Sequence, residues 1–600
     1  MNFKKHVIAS TLGCVAVSFS LFFTACGDDS SSTSGPDENI ESSATEGSAD
    51  SNNPGSSGST TNSSGATKTS SASNTPAGTP VLTVSGTDIL YNGKKIFFSG
   101  TNLAWSDYNS DVGDSPLNEN AWRKAVEGTR AAGGNAIRWW LFNNMSQSPT
   151  IDQTTHLVTG LKENTIANMK KALDIAEEYG VMVSMCLFSH NLMEPNQWGI
   201  YNETVDIAAN KKLFEDEGTT AFITNVLEPV VKAIGFHKAL MTWEVFNEPE
   251  GMTAKPTGWT TESMTKEKLQ KFTNKVAAAI HNIDKRFLVS TGSVNIKYQS
   301  WWNDAELVKA GGEANGTLEF FQTHYYPYYQ DDAVSPFVNT AAQMASTYGY
   351  DSKPLIIGEF PASGWKGDTY TSSMAAKTEI STEECYRKAF DGGYAGALAW
   401  QYIGDKTESQ FGGYTYTIEP ALKAMKTLAE KEMASIKIKD VTIEESTGNG
   451  MMAVTYGGDD AQIEYQKDFD LSSAKALSFE VKNNATKEAE LWLIFKLTDA
   501  WTWTEVSKEV GACKVAAGAK KTCSFDISSF ADRNVTKSII VANYSKGFTG
   551  TLLYDEFQAG EITMFNFDSD KYDAFSRAYG NTEEMIPEIK IVFNNSDYKK

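Results

Sequence analysis

Residues Leu240–Gly251 read LMTWEVFNEPEG, and the two halves of this stretch obey different rules. Met241, Trp243 and Val245 are bulky apolar residues of the kind that favour strands, whereas Asn247, Glu248 and Pro249 mark an exit into a loop. A polar Asn-Glu pair at the carboxyl end of a buried strand, followed at once by Pro249 and a second acid, Glu250, needs a reason. A lone loop acid is ordinarily just solvated. What Glu248 does therefore depends on what the rest of the chain brings to the same place.

On either side of this stretch, strand-like and helix-like segments alternate from Val81 to Met433. Strand candidates are residues 95–102, 135–142, 181–188, 240–247, 286–293, 318–324, 353–360 and 396–403. Between them lie runs of helical period, such as ENTIANMKKALDIAEEYG with Ile166, Met169, Leu173 and Ile175 apolar. Eight strands alternating with helices predict an α/β fold, a (β/α)8 TIM barrel. Chemistry in such barrels sits at the carboxyl ends of the strands. The polar residues at those ends are Asn102, Arg138, His190, Asn247, Glu248, His324, Tyr326, Glu359 and Trp400, from seven of the eight candidates.

Two of them are carboxylates, at the ends of the fourth and seventh strands: Glu248 in FNEPEG and Glu359 in IIGEFP. With NAIRWW, NEP, HYY, GEF and AWQY in that order, the segment resembles glycoside hydrolase family five. FFSGTNLAW, WEVFNEPEG, LVKAGGEANGTLEFFQTHYY and GYAGALAWQY resemble the endo-β-1,4-mannanases of that family. The resemblance implies an endo-acting, retaining hydrolase of β-1,4-mannosidic bonds in mannan, glucomannan or galactomannan, working by double displacement without a cofactor. Such cleavage needs one protonated carboxyl to protonate the leaving oxygen and one carboxylate to attack the anomeric carbon. By motif match, Glu248 is the acid/base and Glu359 the nucleophile. Arg138 and Tyr326 are expected to hold the pKa of Glu359 down, while its negative charge raises that of Glu248. Asn247 is assigned to the sugar 2-hydroxyl, His324 to orienting Tyr326 or the substrate, and Trp400 to the stacking floor.

Trp105 and Trp140 are candidate stacking residues, with Trp139, Trp301 and Trp302 equally readable as packing. Glu250 reads as a structural loop acid. His190 is left out of the site, because its surroundings, LFSHNLM, depart from the family pattern. An endo-β-1,4-glucanase is the alternative, since the catalytic machinery is shared. A glycan-binding surface protein with a dead barrel is opposed by the presence of both carboxylates.

The remainder of the 600 residues flanks this barrel. Residues 1–25 read as a signal: Lys4 and Lys5, then an apolar run from Val7 to Phe23. Phe23-Thr24-Ala25-Cys26 resembles a bacterial lipobox, implying lipidation of Cys26 and anchorage at the cell envelope, or otherwise secretion. Residues 26–80, dominated by Ser, Gly and Thr, read as a flexible tether with too little apolar surface to fold. A net charge of -22 disfavours nucleic acid and anionic membranes as partners, leaving the lipid as the one membrane link and an uncharged polysaccharide as the fitting ligand. The chain is expected to act as a monomer. No CxxC or His-rich spacing suggests a metal.

After Met433 the pattern changes to short alternating runs broken by Gly, Asn and Asp, predicting an all-β sandwich over 434–560. It resembles carbohydrate-binding modules, with Trp501 and Trp503 facing either a sugar or the core. Cys513 and Cys523 are spaced to staple a hairpin in an oxidising compartment. Residues 561–600 carry no clear assignment.

Overall fold

Every residue of Leu240–Asn247 is buried, on both faces of its strand. That is the environment of a parallel strand with a barrel interior on one side and helices on the other. The computed structural model describes residues 78–195, 205–326, 335–363, 382–402, 410–411, 414–415, 417–441, 450–565, 567, 575–582 and 584–593. Residues 1–77, which hold Cys26 and the segments expected to be signal and tether, lie outside the described residues.

Eight parallel strands close into a barrel. They are β1 (Phe98–Asn102), β2 (Ala136–Asn143), β3 (Met182–Ser189), β4 (Leu240–Asn247), β5 (Val289–Ser293), β6 (Phe321–His324), β7 (Leu355–Glu359) and β8 (Gly396–Ala399). Each pairs with its neighbour in sequence and β8 returns to β1. The longer helices between them are amphipathic, and some are capped by a side chain. Lys266–Ile283 buries Leu269, Phe272, Val276 and Ile280 at helical spacing, and the Thr265 side chain accepts from the Lys268 amide at its start. The helix after β8 runs from Glu419 to Ile436, so the barrel domain extends past Met433.

The two ends of the barrel differ in chemistry. Antiparallel strands at Leu82–Ser85, Asp88–Tyr91 and Lys94–Lys95 precede β1. Their Leu82 and Ile89, with Ile96 that follows, pack with Phe98, Ala136, Met182, Met241, Leu288 and Phe320, residues from the amino ends of the strands. This apolar plug seals one end, and the polar carboxyl ends face the other.

Beyond residue 450 two antiparallel sheets enclose a second core. Further strands are β9 (Gly450–Tyr456), β10 (Ala461–Phe469), β11 (Ala476–Asn483), β12 (Ala489–Leu497), β13 (Thr502–Glu505) and β14 (Cys513–Val515). They continue with β15 (Lys520–Asp526), β16 (Thr536–Asn543), β17 (Gly550–Ala559), β18 (Ile562–Phe565), β19 (Ser576–Arg577) and β20 (Glu588–Phe593). One sheet runs β15-β11-β17-β9-β20, the other β13-β12-β16-β10-β19. The expected boundaries of the sandwich shift at both ends. Its first strand begins at Gly450, and β20, in the segment left unassigned, pairs antiparallel with β9. Cys513 and Cys523 form a disulfide, while Cys186 and Cys385 are buried thiols.

Candidate active site

β4 ends in an irregularity that aims its polar residues. The register with β5 shifts between Ser290 and Gly292, which lets Glu244 and Asn247, three residues apart, both reach Arg138. Gly292 makes the room: a Cβ there would sit 2.7 Å from Glu244 Oε1 and 3.0 Å from both Arg138 Nη2 and His324 Nε2. Glu248 follows in the left-handed region, at φ 48° and ψ 52°, with its amide donating to the Gly292 carbonyl at 2.7 Å. A non-glycine residue held there costs about 1–3 kcal/mol, a strain that concentrates at functional sites. Pro249 then opens a short 3-10 turn to Met252.

Arg138, wholly buried on β2, is the hub. Its Nε donates to both oxygens of Glu244 at 3.0 and 2.9 Å, and its Nη2 to Glu244 Oε1 at 2.6 Å. Nη1 donates to Glu359 Oε1 at 2.7 Å and to Asn102 Oδ1 at 3.1 Å, and Nη2 to Asn247 Oδ1 at 2.9 Å. Ser184 Oγ and Gln322 Nε2 complete the shell of Glu244 at 3.0 and 2.8 Å. Burial alone would lower the arginine pKa, but Glu244 and then Glu359 raise it, so the guanidinium is a permanent cation. Burial would likewise raise Glu244, and Arg138 holds it below the usual carboxylate range.

Glu359, at the end of β7, accepts from Arg138 on one oxygen and from the Tyr326 hydroxyl on the other, at 2.8 Å. Glu248 faces imidazoles instead. His324 Nδ1 lies 2.8 Å from Glu248 Oε1 and His190 Nδ1 3.5 Å from Oε2. Burial holds His324 at about 4 and His190 at about 3, so both rings are neutral near pH 7. Burial pushes Glu248 up to about 7, opposed only by Arg138. Glu359 is raised too, by burial first, with His324, Arg138 and Tyr326 pulling it down. Two carboxyls with unequal donor sets thus face one another, one ready to keep its proton and one carrying two donors to its charge.

Glu248, His324 and Glu359 each offer a ligand atom, all within 4.8 Å of one another, as a cation site would. Arg138 supplies a fixed positive charge against Glu359 at the same place. Beside the carboxyls, three indoles run in series: Trp105 lies 5.1 Å from Trp140 and Trp140 5.5 Å from Trp400, between ring centroids.

A family model described as cellulase (glycosyl hydrolase family 5) matches residues 92–390. The chain is 31% identical over 341 residues to a mannan endo-1,4-beta-mannosidase of Cryptopygus antarcticus, covering 52% of this chain and 82% of that protein. It is 27% identical over 337 residues to one from Mytilus edulis, covering 52% and 84%. The chain belongs to glycoside hydrolase family 5. Among solved structures, the X-ray structure of beta-mannanase from blue mussel Mytilus edulis aligns with 60% of this chain and 98% of its own length, at 26% identity and a TM-score of 0.49.

In this family 5 barrel, Glu248, Glu359, Arg138, Asn247, His324, Tyr326 and the Trp400 ring come from β2, β4 and the ends of β6, β7 and β8. Several expectations are corrected. Glu359 is not held below its ordinary value, because burial outweighs its donors. Glu248 is raised by burial rather than by the neighbouring charge. His324 pairs with Glu248, not with Tyr326. The amide of Asn247 is largely committed to protein, accepting from Arg138 and donating to Ser189 Oγ at 3.1 Å. Trp140 is only 5% exposed and stands under Arg138, so it backs the half-buried Trp105 and Trp400 rather than offering a surface of its own.

Trp139 and Trp302 are core, their indole N–H groups donating to Asp111 and Glu250, and Trp301 packs against the core with Lys266 over its ring. Glu250 is structural as read. It accepts from Ser293 Oγ, the Val294 amide and Trp302 Nε1, fastening the β4 exit to the β5 exit. Two residues were missed. His190, set aside on its flanks, touches Glu248, and Glu244, hidden in an apolar run, anchors Arg138.

Proposed function

We propose that this chain is an endo-β-1,4-mannanase that retains anomeric configuration, with Glu248 as acid/base and Glu359 as nucleophile. The observation that supports the mechanism is that two carboxyls face one another with unequal partners, one oxygen of Glu248 and one of Glu359 lying within 4.8 Å of each other. An inverting pair would stand about 6.5–9.5 Å apart to admit a water, against about 5–5.5 Å for a retaining pair. Glu359 attacks the anomeric carbon as the bond to the leaving oxygen breaks, and Glu248 delivers its proton to that oxygen. Glu248, now ionised, then takes a proton from water, which attacks the same carbon and expels Glu359. Arg138 and Tyr326 fix both oxygens of the nucleophile, and His324 steadies the acid/base through Nδ1. The remaining amide hydrogen of Asn247 serves the sugar, and Trp105 and Trp400 flank it.

The two relatives named above support mannan as the polymer. Reducing-sugar release from mannan, glucomannan, carboxymethylcellulose and xylan tests this: mannan and glucomannan are degraded fastest. Faster release from carboxymethylcellulose would make the chain a glucanase.

The lipobox-like Phe23-Thr24-Ala25-Cys26 and the Ser-rich stretch after it support an enzyme tethered to the bacterial envelope by a lipid. Cys26→Ser should release soluble enzyme. A variant still bound to membranes would refute the anchor.

A further inference from the structure

A guanidinium in contact with a carboxylate favours its charged form, which makes the carboxylate a stronger acid and a weaker nucleophile. Glu359 departs from this, standing above its ordinary value although Arg138 Nη1 donates to it at 2.7 Å. Burial is the first cause, and Arg138 is not free to oppose it fully. Three of its hydrogen bonds go to Glu244, from Nε to both oxygens and from Nη2 to Oε1, against one to Glu359. The cation is thus committed chiefly to a carboxylate that takes no part in breaking the sugar bond. Glu244 is held ready for that charge. It is wholly buried on β4, and Ser184 Oγ and Gln322 Nε2 donate to it as well, the latter also bonded to Ser290 Oγ at 2.9 Å.

The other titratable groups that the described residues bring to this place are neutral near pH 7. The Cys186 thiol of β3 is pushed well up by burial, while His190 after β3 and His324 of β6 are held down by it. Tyr326 donates its hydroxyl hydrogen to Glu359. Strands β1, β5 and β8 bring only the uncharged Asn102, Ser290 and Trp400. Arg138 and Glu244 therefore cancel, and the two facing carboxyls hold one proton and one negative charge between them. That sum stays constant through both displacements. Glu359 loses its charge on forming the glycosyl ester as Glu248 gains one by releasing its proton, and the second step reverses the exchange.

We propose that Glu244 is a positioning residue acting through Arg138: its fixed charge neutralises the guanidinium and so sets the pH range in which Glu359 is ionised and nucleophilic while Glu248 keeps its proton. The proposal rests on the roles given above to Glu248 and Glu359. Without the charge of Glu244, Glu359 becomes the one carboxylate partner of Arg138 and is held more firmly in its ionised form. A unit charge about 6–10 Å away, at an effective dielectric of about 20, moves a pKa by about one to two units.

The test follows kcat/KM on mannohexaose against pH in the full chain, for the parent, Glu244→Gln and Glu244→Asp. In the glutamine variant the acid limb, set by ionisation of Glu359, should move down by about one to two units. The alkaline limb of Glu248 should move down by less, because Arg138 makes no hydrogen bond to it. Aspartate keeps the charge at a shorter reach, so its rate should fall while both limbs stay in place. Glutamine limbs that do not move, at whatever rate, would leave Glu244 merely structural and overturn the proposal. So would aspartate limbs that shift by a unit, a result that decides even if the glutamine variant fails to fold. Melting near pH 7 adds a readout that needs no substrate. Glu359→Gln should raise the melting temperature of the parent by relieving a buried charge, and lower it in the Glu244→Gln background by taking the last carboxylate from Arg138. The same sign in both backgrounds would overturn the proposal. Reversal of sign without any cleavage of mannohexaose would keep this role for Glu244 and sink the mannanase reading.

Discussion

Glu244 and Arg138 are each the lone charge in an otherwise uncharged barrel strand, and each is the reason the other is tolerated. Glu244→Ala leaves a buried guanidinium short of its partner, an effect of about 3–5 kcal/mol, whereas Glu244→Gln keeps the volume and an acceptor. Urea unfolding should rank alanine well below glutamine, and equal stability of alanine and parent would contradict the hub. Glu248 has a folded pKa of about 7 against an ordinary 4.5. The folded state therefore favours the proton, and stability is lost as pH rises from 4.5 through 7, by roughly 3 kcal/mol. Glu248→Gln mimics the protonated form, so it should melt above the parent at pH 8 and alongside it at pH 4.5. Because the acid must be protonated, kcat/KM of the parent should fall as pH rises through about 7. His324 and His190, neutral over this range, add no step. At this scale the facing carboxyls Glu248 and Glu359 were legible because both stand in motifs at strand ends. Glu244 was not, because its flanks Trp243 and Val245 read as core, yet a second lone charge, in NAIRWW, was the available sign of its partner.

Among the elements, β4 matches its predicted span of residues 240–247, and the shorter β5 and β8 begin or end several residues inside theirs. A run of apolar and β-branched residues announces a strand, but hydrogen bonding in the closed barrel decides where pairing stops. The shift between Ser290 and Gly292 is invisible in sequence, since it depends on what sits across the strand. Gly292→Ala should therefore fold, by circular dichroism, yet lower kcat on mannan about a hundredfold, the penalty for displacing the Arg138–Glu244–His324 set by an ångström. Full activity in this variant would show that the close approach has no bearing on the site. In the sandwich, β20 was illegible because it is a short strand whose partner, β9, lies far back in the chain.

The whole molecule joins a barrel with an apolar plug at one end and paired carboxyls at the other to a sandwich with an aromatic outer face. Eight strand-like runs, seven of them with polar ends, sufficed to foresee the barrel. The sandwich face was not foreseen beyond Trp501 and Trp503, because only the pairing of β16 with β12 and with β10 reveals which residues share it. The central claim is that Glu248 and Glu359 act in two displacements on β-mannan, and the configuration of the first product tests it most directly. Proton NMR of a mannohexaose digest should show the new reducing end appearing as the β anomer, with the α anomer growing in only by mutarotation. The α anomer appearing first would contradict the account.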